Sequence, residues 1–224
     1  MQFDCQKNAE DVIKIYYAYT EIIDDSSFER IKAEMSYDER KHLTNLRRSE
    51  DRMLKVLSSA LLLKALIDHG HDNFKICDMK KNEAGRPFFD AACFDFNISH
   101  SGNCAVLAFA EDSRIGIDIE EKNMIDLSDF ENIFPHDVWK KINVSNDRIE
   151  SFYHYWTSLE SAVKADGRGL PILSSMQMDI DHDQIIIDGN EWNSHHIDID
   201  HSISCCTVSD KKDETIELVE IRSI

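Results

Sequence analysis

Residues Ser49–Gly70 read SEDRMLKVLSSALLLKALIDHG. Leucines recur there at helical spacing, Ser49 precedes an acidic first turn, and Gly70 is a natural stop, so the stretch predicts a long helix. Upstream, Val12–Thr20 (VIKIYYAYT) is rich in β-branched and aromatic types and predicts a strand. Ser36 followed by Glu39 has capping-box spacing and predicts the start of a short helix. Downstream, short strands are expected at Phe74–Asp78, near Phe88, and at Phe96–Ser99, Cys104–Ala110 and Ile115–Glu120. The order then recurs: a second long helix over Asp147–Asp166, ended by Gly167 and Gly169, precedes strands at Ile185–Asp188, Ile197–Val208 and Thr215–Arg222. Strand, helix and strands twice over predict an α+β chain of two similar lobes, an N-terminal one over 1–112 and a C-terminal one over 113–224.

The 224 residues are 42 % apolar and 30 % charged, with seven Gly and three Pro, which is a globular composition. A chain of this length buries roughly 70 % of its unfolded surface and needs no disulfide or structural metal to fold. Forty-three acids against 25 bases give a net charge of −18, which argues against a nucleic-acid binder held by phosphate neutralisation. No apolar run reaches the ~18 residues of a membrane span; the longest, Ala60–Ile67, is interrupted by Lys64. The N-terminal MQFDCQKNAED shows no basic region followed by an apolar stretch, so no signal peptide is expected. Cys5, Cys77, Cys93, Cys104, Cys205 and Cys206 form no C-x-x-C pair and read as the reduced thiols of a cytoplasmic protein. Charge is uneven: residues 28–86 carry a net +3 and the remainder −21. Such a block suits an anionic small molecule, although solvated helix faces give the same composition.

Three segments could carry chemistry. In GIDIEEKN, Gly116–Asn123, Asp118 and Glu120 fall on one face of a strand while Ile117 and Ile119 turn inward. Two carboxylates so close repel unless a cation sits between them, and hard oxygens suit Mg²⁺; an exposed polar strand face is the alternative. In WTSLESAVKADGRGL, Trp156–Leu170, Glu160 and Lys164 share a helical face. They form either a surface ion pair or a third metal oxygen with a phosphate-binding cation one turn later. In FNISHSG, Phe96–Gly102, Ser99 and His100 could offer a hydroxyl and an imidazole to an anion. As strand neighbours they point to opposite faces and make a poor nucleophile–base dyad. His195, His196 and His201 read as a polar strand face rather than a metal site, and the acidic stretches Asp179–Asp183 and Asp198–Asp200 lack EF-hand spacing.

In order and spacing these blocks resemble the surfactin-type 4′-phosphopantetheinyl transferases. The blocks are Asp38-Glu39-Arg40, Gly85-Arg86-Pro87, Asn97-Ile98-Ser99-His100-Ser101, Gly116-Ile117-Asp118-Ile119-Glu120 and Trp156 through Gly169, covering roughly residues 36–170. The resemblance implies two pseudo-two-fold-related lobes, each a small, mainly antiparallel sheet packed on a long helix, with coenzyme A between them. It implies transfer of the phosphopantetheine arm of coenzyme A to a serine of an apo acyl or peptidyl carrier protein, with release of adenosine 3′,5′-bisphosphate. Such carriers belong to fatty-acid, polyketide and nonribosomal peptide biosynthesis. By position it makes Asp118, Glu120 and Glu160 the Mg²⁺ ligands, with Asp118, Glu160 and Lys164 catalytic. Lys164 would meet the pyrophosphate, and Ser99, His100, Arg86 and Arg40 would bind other parts of coenzyme A. A monomer without nucleic-acid or membrane partners is expected.

Asp38 replaces the glutamate of the first block, Asp137 is out of register with a later acid, and two further positions depart from the family pattern. Leu159 stands where it has a lysine, and Leu54 where an arginine is expected. They motivate an alternative, a catalytically impaired member that binds coenzyme A or a carrier protein without efficient transfer. A Mg²⁺-dependent phosphohydrolase would rest on the carboxylates alone.

Overall fold

A computed structural model describes residues 12–179 and 182–224. The leader reading of the N-terminus, Cys5 and the centre of the Asp179–Asp183 stretch lie outside them. The chain runs β1 (Val12–Tyr19), α1 (Asp25–Glu34), α2 (Tyr37–Asn45) and α3 (Ser49–Asp68). A two-residue hairpin follows, β2 (Lys80–Lys81) and β3 (Pro87–Phe88), then β4 (Asp95–Ser101), β5 (Cys104–Ala110) and β6 (Ile115–Glu121). The second half has α4 (His136–Val144), α5 (Arg148–Asp166), β7 (Met176–Asp179), β8 (Gln184–Ile187), β9 (Asn190–His196), β10 (Ile203–Ser209) and β11 (Thr215–Glu220).

These elements make two similar α+β lobes. The first sheet has the order β11-β1-β5-β4 and the second β6-β10-β9-β8-β7. All pairings are antiparallel except β1 with β11. β5 (CAVLAFA) is buried at every position, as a central strand covered on both faces must be. α3 covers one face of the first sheet, burying Leu57, Leu61 and Leu66 with Tyr16 and Phe109. α5 does the same for the second, burying Phe152, Leu159 and Val163 with Ile185 and Val208. A third core between the sheets joins Ile13, Ile15, Val106 and Ala108 to Ile115, Ile117 and Cys205.

Several local expectations are corrected. Phe74–Asp78 is not a strand: Ile76–Asp78 forms a 3₁₀ turn, and Phe74 packs edge-on against Phe94 at 5.1 Å. Ile197–Val208 divides, because β9 ends at His196 and Asp200 starts a turn before β10 by accepting from the Ser202 backbone at 2.8 Å. At α2 only half the expected box forms: Ser36 accepts from the Glu39 N–H at 3.2 Å, while the Glu39 carboxylate turns to Lys55 at 3.1 Å. The reciprocal box sits at α1, between Asp24 and Ser27. β11 returns to lie beside β1 in the first sheet. Sheet membership therefore departs by that strand from the 112/113 division, which is kept as a proposal about chain order.

Candidate active site

The two sheets meet edge to edge, and the site lies on that seam. β4 and β6 share no ladder; side chains of β4 take the place of one. Asp95 accepts from the Ile115 N–H at 3.0 Å, Asn97 from Ile117 at 2.9 Å and Ser101 from Glu121 at 3.0 Å. Alternate residues of a strand share a face, so the same row brings Ser99 to Asp118. The Ser99 hydroxyl donates to Asp118 Oδ1 at 2.9 Å, and Ser101 donates to Glu120 at 3.0 Å. Side chains of β4 thus satisfy the N–H row of β6 and cover that edge against foreign strands.

α5 supplies the other wall. A Cβ on Gly116 would stand 2.1 Å from the Ser161 carbonyl and 2.6 Å from the Ala165 nitrogen, so only glycine permits this approach of helix to strand. Ser161, buried in the contact, donates to the Cys206 carbonyl at 2.7 Å. The close approach brings Lys164 Nζ within 2.5 Å of Asp118 Oδ1 and 2.8 Å of Ser99 Oγ. Asp118 is 3 % exposed, and its Oδ2 has no hydrogen-bond partner. A buried carboxylate oxygen without a donor is costly and marks a place for a further positive group.

Glu120 and Glu160 face the same charge. Burial first, then the Asp118 carboxylate, holds both side chains above the ordinary carboxyl range. Lys164 counters this in both, and hydrogen bonds from Ser101 and the Trp156 indole do so at Glu120. Three carboxyls around one lysine leave an excess of negative charge and a set of hard oxygens, which fits a Mg²⁺-like cation. The fit is one of chemistry. Among the described residues, the trio with ligand atoms all within 4.8 Å of one another is elsewhere, at His71, Cys93 and Glu111.

The other expected ligand-binding residues are placed as follows. Ser99 is in the cleft. His100, its neighbour, is exposed on the opposite face of β4, and crowding of its ring, then Lys164, holds its pKa below the usual value. Arg86 is not a free cation. It pairs through two bonds with Asp95 at 3.0 and 2.7 Å, and donates to the Ile115 and Lys164 carbonyls at 2.8 Å each. Arg40 is also occupied, closing the end of α1 by donating to the Met35 carbonyl at 2.7 Å. Leu159 and Leu54 are buried, at 1 and 5 % exposure, so neither marks a cation missing from the cleft surface. His196 stacks on His154 with centroids 3.7 Å apart, and burial lowers its pKa to about 4.

Beside the charge cluster a cavity of about 360 Å³ is bounded by Gly85, Arg86, Pro87, Ile98, Glu160 and Lys164. A larger hollow of about 540 Å³ lies between α1, α3 and the last residues, away from the seam that holds Asp118. Asp95 lies outside the blocks quoted from the sequence, and Asn97 and Ser101 carry no role of their own within theirs. Their signal was available in the two-residue alternation through Asp95–Ser101, which places them on the face of Ser99.

The chain is similar to known proteins along most of its length. Residues 114–214 match the family model described as the 4′-phosphopantetheinyl transferase superfamily, and residues 24–112 match that described as 4′-phosphopantetheinyl transferase, N-terminal. The chain is 31 % identical over 170 residues to 4′-phosphopantetheinyl transferase gsp of Aneurinibacillus migulanus, covering 74 % of this chain and 70 % of that protein. It is 25 % identical over 224 residues to 4′-phosphopantetheinyl transferase Sfp of Bacillus subtilis, covering 95 and 100 %. Over 108 residues it is 33 % identical to the L-aminoadipate-semialdehyde dehydrogenase-phosphopantetheinyl transferase of Xenopus laevis, covering 41 and 36 %.

Proposed function

Because the chain belongs to the 4′-phosphopantetheinyl transferase superfamily, we propose that it is the transferase its seam suggests, moving the phosphopantetheine arm of coenzyme A to a carrier protein. The serine oxygen of the apo acyl or peptidyl carrier forms a bond to the β-phosphorus, the pyrophosphate bond breaks, and adenosine 3′,5′-bisphosphate leaves. The observation that carries the reading is the set of Asp118 and Ser99, buried, with Glu120, Glu160 and Lys164, half-buried, on one seam, with an unpartnered oxygen on Asp118.

Each group has work that its surroundings fit. Asp118, Glu120 and Glu160 would hold Mg²⁺. When bound, that ion supplies the positive charge that a splitting pyrophosphate requires. Lys164, anchored by Asp118 and Ser99, adds charge on the helix side of the cavity. Glu160, which borders the same cavity, is the proton acceptor we assign to the serine hydroxyl. Arg86 serves by bracing: it ties Asp95, the start of β6 and the Lys164 turn together. The cavity bounded by Gly85 and Ile98 would take coenzyme A, and His100 would meet it from the outer face of β4. The impaired-member alternative rests on Leu159 and Leu54, which both pack in the core, and turnover of coenzyme A decides it.

No helix among the described residues is long and apolar enough to cross a membrane. Cys77, Cys93, Cys104, Cys205 and Cys206 form no disulfide, which supports a reducing, cytoplasmic setting. The two lobes form the cleft within one chain, as a monomer would. Replacing Asp118 by Ala tests the assignment. Transfer falls by about 10²–10³-fold, while circular dichroism and calorimetric coenzyme A binding persist; full transfer by the variant contradicts it.

A further inference from the structure

Away from the cleft, the first lobe gathers a second set of metal-ligating side chains. His71 follows α3, Cys93 precedes β4 and Glu111 follows β5, so three separate segments converge. One ligand atom from each lies within 4.8 Å of the other two. His71 Nε2 is 3.2 and 3.1 Å from the two Glu111 oxygens, and His69 Nδ1 is 3.1 Å from the first of them. Phe94 packs on the His71 ring with centroids 4.6 Å apart, which fixes its plane. We propose that His71, Cys93 and Glu111 bind a borderline divalent transition-metal ion, Zn²⁺ being the type, with His69 orienting the Glu111 carboxylate.

The donor set is the first argument. Imidazole nitrogen, sulfur and carboxylate oxygen together suit zinc and its neighbours, whereas Mg²⁺ is served by oxygens alone. Spacing is the second. Zn–N and Zn–O bonds of about 2.0–2.1 Å put neighbouring ligands ~3.3 Å apart at a tetrahedral centre, near the 3.1 Å between His71 and Glu111. A hydrogen-bonded ion pair would also satisfy that distance, and the Cys93 ligand atom within 4.8 Å of both is what the metal reading adds. The outer partner is the third argument. A nitrogen donor fixing a ligating carboxylate is the usual second layer of such a site, and His69 stands in that position. Binding releases the Cys93 thiol proton to solvent. Three protein ligands leave a fourth position open, and the ion ties the ends of α3 and β5 to the loop before β4.

Titration with Co²⁺ of protein purified in chelator tests the site independently of the cleft. One Co²⁺ per chain should give a thiolate-to-cobalt charge-transfer absorption, displaced by Zn²⁺ and unaffected by excess Mg²⁺. Cys93→Ser should remove the absorption, while Cys77→Ser, at another exposed thiol, should leave it. His69→Gln should weaken binding by roughly 10–100-fold and keep the absorption. Absence of the absorption in the wild-type chain, or its survival in Cys93→Ser, overturns the site. Co²⁺ held only by the cleft carboxylates would bind without it, so failure here is distinct from failure of the proposed transferase.

Discussion

At Asp118 one oxygen accepts from both Ser99 and Lys164 while the other meets no donor, and the two glutamates beside it are harder to ionise than free ones. That combination has a pH signature. With their pKa values raised above 4.5, the folded chain holds more protons than the unfolded chain in the window from 4.5 up to the raised values. The stability from these groups is complete below the window and lost as pH rises through it. A divalent cation competes with the same protons, so its affinity rises over the same window. Urea unfolding across pH, with and without Mg²⁺, should show both trends and lose them in Glu120→Gln with Glu160→Gln; a persisting slope contradicts the assignment. Arg86 makes the second prediction. Its guanidinium and Asp95 are both largely buried, so Arg86→Met leaves that carboxylate only the Ile115 N–H and Arg114, 3.7 Å away, and should cost up to about 3–5 kcal/mol; an unchanged urea midpoint would rule the brace out. The sequence pointed to Asp118 and Lys164 through local motifs. It did not show how Arg86 is held, because its partners Asp95, Ile115 and Lys164 are brought together only by the folded seam.

Among the elements, β6 and α5 set the site, and Gly116 sets their spacing. Gly116→Ala drives a methyl into the Ser161 carbonyl and Ala165. Overpacking of this kind costs typically 1–3 kcal/mol, and here it also parts Asp118 and Glu120 on the strand from Glu160 and Lys164 on the helix. We therefore expect a lower melting temperature together with reduced transfer; wild-type values for both would show that the contact is slack. Both long helices were readable, since leucine spacing and the Asp147 cap to the Glu150 N–H at 2.9 Å are local signals. α1 escaped because its box is Asp24 with Ser27, outside the Ser/Thr-x-x-Glu pattern, and α4 because Pro135 offers no side-chain cap. Leu159 is instructive in the same way: motif comparison makes it a missing cation, whereas helix packing makes it core.

For the whole molecule, two lobes of similar build create between their edge strands what neither supplies alone. The two-lobe reading followed from the repeated order of strand, helix and strands. The return of β11 to β1 did not, because the choice of a parallel partner some 200 residues away leaves no local trace. A net charge of −18 surrounds a cleft that, on the proposed function, takes an anionic cosubstrate, so local potential from Lys164 and a bound cation would have to outweigh the global field. The decisive measurement is the intact mass of apo acyl and peptidyl carrier proteins after incubation with this chain, coenzyme A and Mg²⁺, beside an EDTA control. The account predicts a gain of one phosphopantetheinyl group per carrier that EDTA abolishes. Carriers of both kinds left at apo mass, while the chain still binds coenzyme A, would contradict it.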